Sequence, residues 1–304
     1  MFIRAIRGQF AALKTRVIYN PRSGFLARRP GVLALARRFV TERLPDATIV
    51  PTERGGHATE LARQALAEGC ELVVAFGGDG TMNEVAQALM DTDAVLGLLP
   101  CGSGNGLARH LGIPLAPAAA LELLLTGCPR VIDAGLADGR PFFVAAGLGF
   151  EAEMAHRFAR LTSRGLSGYI RTGLSGWWGY TPQEHVITHG GTRHTRRALT
   201  LAVANCNQYG NNARIAPRAR VDDGLLDLAA VPPVNLLNAA PLLLRLFNGT
   251  LNCRADVLQL RGACFTVERP APGPLHLDGE PRDAGARVEF TVRPRCLRVL
   301  VPAK

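Results

Sequence analysis

Two apolar runs, each delivered into a glycine-rich loop and then a helical stretch, constrain this chain more than any other feature. Leu72 to Phe76 leads into Gly77-Gly78-Asp79-Gly80-Thr81, and Val95 to Leu99 leads into Pro100-Cys101-Gly102-Ser103-Gly104-Asn105-Gly106. Short apolar runs bounded by glycine fit strands of a parallel sheet, which is covered on both faces. Arg16 to Tyr19 and Thr48 to Val50 read as two further strands. Helices are expected over Gly31 to Leu44, His57 to Glu68, Thr81 to Met90 and Leu107 to Leu111. This alternation predicts a doubly wound α/β domain that binds its ligand at the carboxyl ends of the strands. Three of the four strands end there in Asn20-Pro21-Arg22-Ser23-Gly24 or in a glycine loop.

The texture changes after about residue 130. Short runs separated by turn signals follow at Arg130–Ala134, Phe142–Ala146, His185–His189, Ala198–Asn205, Leu225–Val231, Cys264–Val267 and Val288–Val292. They predict a mainly antiparallel, β-sandwich-like domain, interrupted by helices at Glu151–Leu161 and Pro233–Phe247. The expected organisation is a nucleotide-binding α/β domain over 15–130 and a mainly β domain over 131–304, with the extreme C-terminus free to return to the first. Residues 1–14 place Phe2, Ile6, Phe10 and Leu13 at helical spacing among basic residues. They read either as an amphipathic membrane-surface helix or as a helix packed on the first domain.

Composition narrows the chemistry. Lys14 and Lys304 are the only lysines, and the rest of the 35 cations are arginines, giving a net charge of +10. A phosphate loop of the G-x-x-x-x-G-K type and a protein-kinase site both need a lysine, so neither is available. Seven scattered cysteines lack metal spacing and read as reduced thiols, which with the absence of a signal-like N-terminus predicts a cytoplasmic protein. The positive charge suits nucleic acid or an anionic bilayer.

A glycine loop opening a helix offers free N–H groups and partial positive charge to a phosphate. A carboxylate inside such a loop repels phosphate unless Mg²⁺ lies between them. Asp79 therefore reads either as a metal-facing acid or as a helix cap. Glu280 lies between Gly279 and Pro281, and Asp222-Asp223-Gly224 also has the form of a turn. By themselves both would be solvated loop acids.

Taken together, Asn20-Pro21-Arg22-Ser23-Gly24, Gly77-Gly78-Asp79-Gly80-Thr81 with Asn83-Glu84, Leu99 to Asn105, Asp222 to Asp227 and Leu277-Asp278-Gly279-Glu280 resemble the catalytic domain shared by diacylglycerol, sphingosine and ceramide kinases. The matches follow the family order over nearly the whole chain. The resemblance implies ATP bound over Asn20, Thr52, Gly77, Gly78, Asp79, Gly80, Thr81, Met82, Asn83, Gly102 and Ser103. It implies Mg²⁺ at Asp223 with the backbone carbonyls of Arg220 and Leu225, a structural ion. Glu280 matches the proton acceptor, with Asp278 beside it and Asp79 serving the catalytic Mg²⁺. The family usually has Gly-Thr-x-Asn-Asp at the second loop; Gly102-Ser103-Gly104-Asn105-Gly106 is closer to the sphingosine and ceramide branches. The resemblance further implies an active site between the two domains. It also implies a membrane lipid substrate, peripheral attachment to the anionic inner face of the membrane, and no nucleic-acid partner.

Two other classes compete. An NAD kinase-like nucleotide kinase accounts for Gly77 to Thr81 but not for the other four motifs, and a non-catalytic lipid-binding protein has no use for Asp79, Asn83 and Glu280 together. Arg22 and Arg109 stand beside the loops as replacements for the missing lysine, or as solvated arginines. His57, His110, His156 and His276 read as surface or packing residues. Trp177-Trp178 with Tyr169 and Tyr180 reads as a lid for lipid entry or as aromatic packing on the β domain.

Overall fold

The computed structural model describes residues 12–159 and 180–303. The amphipathic helix expected within 1–14 and the aromatic stretch Arg164 to Tyr180 lie almost wholly outside the described residues. The chain forms two compact units, Met1–Ile132 with Arg295–Lys304, and Asp133–Pro294.

The first unit is built on parallel strands β1 (Thr15–Tyr19), β2 (Ala47–Pro51), β3 (Leu72–Gly77) and β4 (Val95–Pro100), in the order β2-β1-β3-β4. β1, β3 and β4 are buried along their whole length, whereas β2, at the edge, is partly exposed. The far edge of β4 is completed by the end of the last strand, with Arg298 opposite Val95 and Val299 opposite Leu96. The extreme C-terminus therefore belongs to this unit. Helices Pro30–Arg43, His57–Ala67, Asp79–Leu89 and Gly106–His110 follow the expected pattern. Glu84 accepts the N–H groups of Gly56 and Ala58 and so caps the helix His57–Ala67.

One helix, Pro117–Thr126, carries too little amphipathic signal to be seen in the sequence. Pro117 occupies its first turn, where no N–H is needed, and Leu121, Leu124 and Leu125 are buried in the core of the unit with Leu72, Val74 and Leu99. Its exposed face is Ala118, Ala119, Glu122 and Thr126, and two alanines there leave the period weakly marked.

The second unit is a β-sandwich. Its strands are β5 (Cys128–Ala137, entering from the first unit), β6 (Arg140–Phe142), β7 (Ala145–Gly149), β8 (Gln183–His189), β9 (Thr192–Ala198), β10 (Thr200–Ala204), β11 (Leu226–Val231), β12 (Leu258–Gly262), β13 (Cys264–Glu268), β14 (Gly273–Leu277), β15 (Glu280–Ala284) and the first part of β16 (Arg287–Val301). One antiparallel sheet runs β12-β11-β10-β7-β14-β15; in the other layer β16 pairs with β13, β13 with β8 and β8 with β9. Leu148, Leu201, Val203, Leu228 and Leu275 of the first layer share a core with Ile187, Phe265, Val267, Val288 and Phe290 of the second. Helices Phe150–Ala159 and Leu236–Asn248 interrupt the sandwich.

The run Phe142 to Ala146 does not make one strand. It breaks between β6 and β7, where the N–H groups of Phe143, Val144 and Ala145 turn to the Asp278 carboxylate. Strand β9, Thr-Arg-His-Thr-Arg-Arg-Ala, is largely exposed and shows no apolar alternation; pairing with β8 makes it a strand.

Candidate functional site

In the first unit, the ends of β1, β3 and β4 bring the expected loops together. Asn20 follows β1, and its side-chain oxygen accepts the Arg22 N–H at 2.9 Å, which closes the Asn-Pro turn. Ser23 Oγ donates to the Cys101 carbonyl at 2.6 Å, tying that turn to the loop after β4. The Cys101 N–H donates in turn to the Gly77 carbonyl at 2.6 Å. Thr52, buried beyond β2, donates its N–H to the Tyr19 carbonyl at 2.8 Å.

Asp79 is the clamp between the glycine loops. Its two carboxylate oxygens accept the N–H groups of Asn105 and Gly106, each at 2.8 Å. Asn105 has a φ of 52°, and its side chain closes the loop by accepting the Gly102 N–H at 2.9 Å and donating to the Gly102 carbonyl at 2.8 Å. Burial raises the Asp79 pKa, while the hydrogen bonds from Gly106 and Asn105, its own backbone N–H and the Arg109 charge oppose the shift. Each oxygen still has lone-pair capacity, so a nucleotide-bound Mg²⁺ fits beside this carboxylate.

The glycines serve close packing within and between the loops first. A Cβ on Gly102 would lie 2.7 Å from the Gly78 Cα, and one on Gly77 would lie 2.5 Å from Thr81 Oγ1. Ser103 is exposed at the loop tip. Thr81, Met82 and Asn83 are buried in the first turns of the helix Asp79–Leu89, so Met82 faces the core. Arg109 Nε donates to the Gly104 carbonyl at 2.9 Å and braces the loop, whereas Arg22 is exposed at the turn after β1.

In the second unit, Leu277-Asp278-Gly279-Glu280 is a two-residue hairpin joining β14 to β15. Asp278 and Gly279 have φ values of 50° and 85°, the pattern of a type I′ turn. The Asp278 carboxylate accepts three backbone N–H groups, from Phe143 at 2.9 Å, Val144 at 2.8 Å and Ala145 at 3.1 Å. Asp278 is thereby an anchor of the turn. Glu280 is exposed at the head of β15.

Residues 14–137 match the diacylglycerol kinase catalytic domain, and residues 143–301 match the YegS C-terminal NAD kinase beta sandwich-like domain. A Pseudomonas aeruginosa protein named "Probable lipid kinase YegS-like" is 37% identical over 83% of this chain and 83% of its own length. A Pseudomonas fluorescens relative of the same name is 36% identical over 84% of this chain and 86% of its own. The chain belongs to the YegS-like lipid kinase family. A diacylglycerol kinase crystal structure from Bacillus anthracis str. Sterne shares the fold, with a TM-score of 0.67 and 19% identity over 95% of this chain and 96% of that one. The expected family and the α/β-plus-sandwich architecture are both met, and the chain is a kinase. Phosphoryl transfer by a kinase of this family draws on a nucleoside triphosphate.

At the Mg²⁺ position that the resemblance implies, the loop before β11 brings an arginine to the acid. Asp223 Oδ1 accepts the Leu225 N–H at 3.1 Å, and its Oδ2 is paired with the Arg261 guanidinium, which also lies 3.6 Å from Asp227 Oδ2. Arg261 sits directly opposite Asp227 in the β11–β12 ladder. Burial raises Asp227 to about 6, against the Arg261 charge and with Asp223 adding to the shift. No group of three His, Cys, Asp or Glu side chains gathers to hold a metal among the described residues. A guanidinium supplies the positive charge that Mg²⁺ would bring, so an ion at Asp223 with the Arg220 and Leu225 carbonyls would have to displace Arg261 from the carboxylate.

Two residues that shape this kinase's site carried little sequence signal. Asn105 was visible only as part of a motif, although its left-handed backbone and three contacts organise the second loop. Asp133 is fully buried and accepts the Gly224 N–H at 2.7 Å, holding the Asp222–Gly224 turn. An acid inside a strand gives no hint of a partner 91 positions away in the chain.

Proposed function

We propose that this chain transfers the γ-phosphoryl group of ATP to a hydroxyl of a membrane lipid: diacylglycerol, a sphingoid base or ceramide. The observation that carries the reading is the clamp of Asp79 on Asn105 and Gly106. It assembles two glycine loops and the Asn20 turn at one sheet edge, around the N-terminus of an 11-residue helix. Backbone N–H groups, the exposed Ser103 hydroxyl and Arg22 offer the phosphate contacts that a lysine supplies elsewhere. When bound with the nucleotide, Mg²⁺ would lie toward Asp79 and neutralise charge on the phosphates.

Glu280 takes the role of general base. Its carboxylate accepts the proton of the lipid hydroxyl as that oxygen bonds to the γ-phosphorus, the bond to the β–γ bridging oxygen breaks, and ADP departs. An exposed glutamate at the head of a rigid type I′ turn suits this task, since the turn holds the backbone while the side chain stays accessible.

The substrate's location calls for attachment to a bilayer. Among the described residues no helix is long and apolar enough to cross a membrane. The helix Leu236–Asn248, which lacks acidic residues, exposes Leu243, Leu244 and Phe247 to 52%, 68% and 53%. With a net charge of +10, that face suits peripheral binding to an anionic surface such as the inner leaflet.

Labelled ATP offered with diacylglycerol, monoacylglycerol, sphingosine or ceramide in mixed micelles, and separately with NAD, tests the reading. Label is expected in one lipid product and lost in Glu280→Gln and Asp79→Asn. Label in NAD alone would establish the nucleotide-kinase alternative, and no turnover with any acceptor would favour a lipid-binding role.

A further inference from the structure

His276 stands next to the Glu280 turn and is bound on both ring nitrogens. It lies on β14 and is 6% exposed, so of the surface and packing alternatives the burial fits the second. Nδ1 accepts the Gly279 N–H at 3.3 Å, inside the turn itself. Nε2 lies 3.0 Å from the Tyr209 hydroxyl and 3.4 Å from Glu151 Oε1. Since Nδ1 accepts a proton donor, the neutral ring carries its hydrogen on Nε2, where Tyr209 and Glu151 both present oxygen.

The sandwich is shaped to admit this arrangement. Gly147 lies directly opposite His276 in the β7–β14 pair, and a Cβ there would fall 1.9 Å from Glu151 Oε1 and 2.4 Å from His276 Nε2. Any larger residue at 147 would push the carboxylate and the ring apart. Glu151 Oε1 is buried without a conventional hydrogen bond, so the imidazole edge is its nearest compensation. Two polar groups, from the helix Phe150–Ala159 and from the loop after β10, thus converge on one side of the ring, and its other side holds the turn.

We propose that His276, locked by Glu151 and Tyr209, is a positioning residue for Glu280: through Gly279 it sets where the carboxylate stands. The inference rests on the reading of Glu280 as the base. Asp278 secures the turn to the strand behind it, and His276 fixes the Asp278–Gly279 peptide, one residue before Glu280. A displacement of about 1 Å at a catalytic group costs up to about a hundredfold in rate, so the contact should appear in turnover more than in binding.

Asparagine and glutamine divide the two functions of the ring. In His276→Asn the side-chain oxygen can take the place of Nδ1 as the acceptor for Gly279. The longer amide of His276→Gln reaches toward Tyr209 and Glu151 but leaves Gly279 unpaired. In lipid-kinase assays, His276→Gln should lower kcat about tenfold with KM for ATP and lipid within about twofold. His276→Asn should keep most of the turnover. Tyr209→Phe, which keeps the packing, should lower kcat about threefold with KM unchanged. Equal losses in the two His276 variants, a rise in KM in place of a fall in kcat, or wild-type kcat in Tyr209→Phe would overturn the inference. Glu280→Gln run alongside separates the levels: if it stays active, the reading of the base has failed; if it is inactive while His276→Gln is not, only the positioning role has.

Discussion

Asp79 and Asn105 join the two glycine loops of the first unit: the Asn105 N–H donates to Asp79 Oδ2 at 2.8 Å, and Gly106 takes the other oxygen at the same distance. An acid that looks out of place among phosphate-binding glycines is thus used first to hold the neighbouring loop. Any role toward Mg²⁺ is added to that one.

Asp79→Asn should therefore damage the loop as well as the charge. An amide keeps one acceptor but points donors at the second N–H, which leaves a buried donor unsatisfied and costs about 1–3 kcal/mol. Denaturant titration should show that loss of stability, together with a fall in turnover of about a hundredfold. Native stability would assign Asp79 to chemistry alone.

Close contact between glycines makes a paired prediction. Gly102→Ala places a Cβ 2.7 Å from the Gly78 backbone, whereas at Gly24 nothing lies within 4 Å. Overpacking against backbone should cost about 1–3 kcal/mol in Gly102→Ala and weaken nucleotide binding. Gly24→Ala should be within about 0.5 kcal/mol of the parent protein. Calorimetric titration of ATP and thermal melts on both variants test this.

Asp278 and Glu280, two residues apart, should separate stability from catalysis. Asp278→Ala removes the acceptor for three N–H groups and puts alanine at a left-handed φ of 50°. It should lose about 1–3 kcal/mol. Glu280→Gln should melt like the parent and lose about 10²- to 10⁴-fold in kcat. Parallel melting and turnover measurements read both.

Acid sensitivity should come from His185. Strand alternation in β8 sends this ring inward, and burial lowers its pKa, with the Gln183 backbone opposing the shift and Arg269 adding to it. The folded state thus binds its proton less tightly than the unfolded chain. Stability from the neutral ring is present above about pH 6.5 and is lost as pH falls through that value toward the lowered one. Melting temperatures between pH 5 and 8 should fall on the acid side, and His185→Leu should flatten that slope.

Membrane attachment should depend on the helix Leu236–Asn248. Replacing Leu243, Leu244 and Phe247 with serine removes its exposed apolar surface without touching the core. Binding to anionic vesicles, read by co-sedimentation, should fall at least about tenfold, since each large apolar side chain contributes about 1.5–3 kcal/mol when buried. Activity on a short-chain, monomeric lipid should be retained. Undiminished vesicle binding would move the contact elsewhere.

Local patterns in the sequence already specify the α/β half of the molecule. The runs before Gly77 and Pro100 are apolar because β3 and β4 are covered on both faces, and the turn formers after them mark the sheet edge where the loops meet. The sandwich half was legible as a class but not strand by strand. β9 carries arginines on a solvated face, and the run from Phe142 splits at a carboxylate supplied from position 278.

What the sequence could not assign is what each acid faces in the fold. Asp79, Asp223, Asp278 and Glu280 all look alike as acids beside glycine. Tertiary structure separates them by what they face: two loop amides for Asp79, an arginine from the adjacent strand for Asp223, three amides at the β6–β7 break for Asp278 and solvent for Glu280. It also draws His276, Glu151 and Tyr209 together over Gly147. Hydrogen bonding and desolvation depend on partners brought from distant parts of the chain, so a residue's type and its neighbours in sequence leave its role open until the fold is formed.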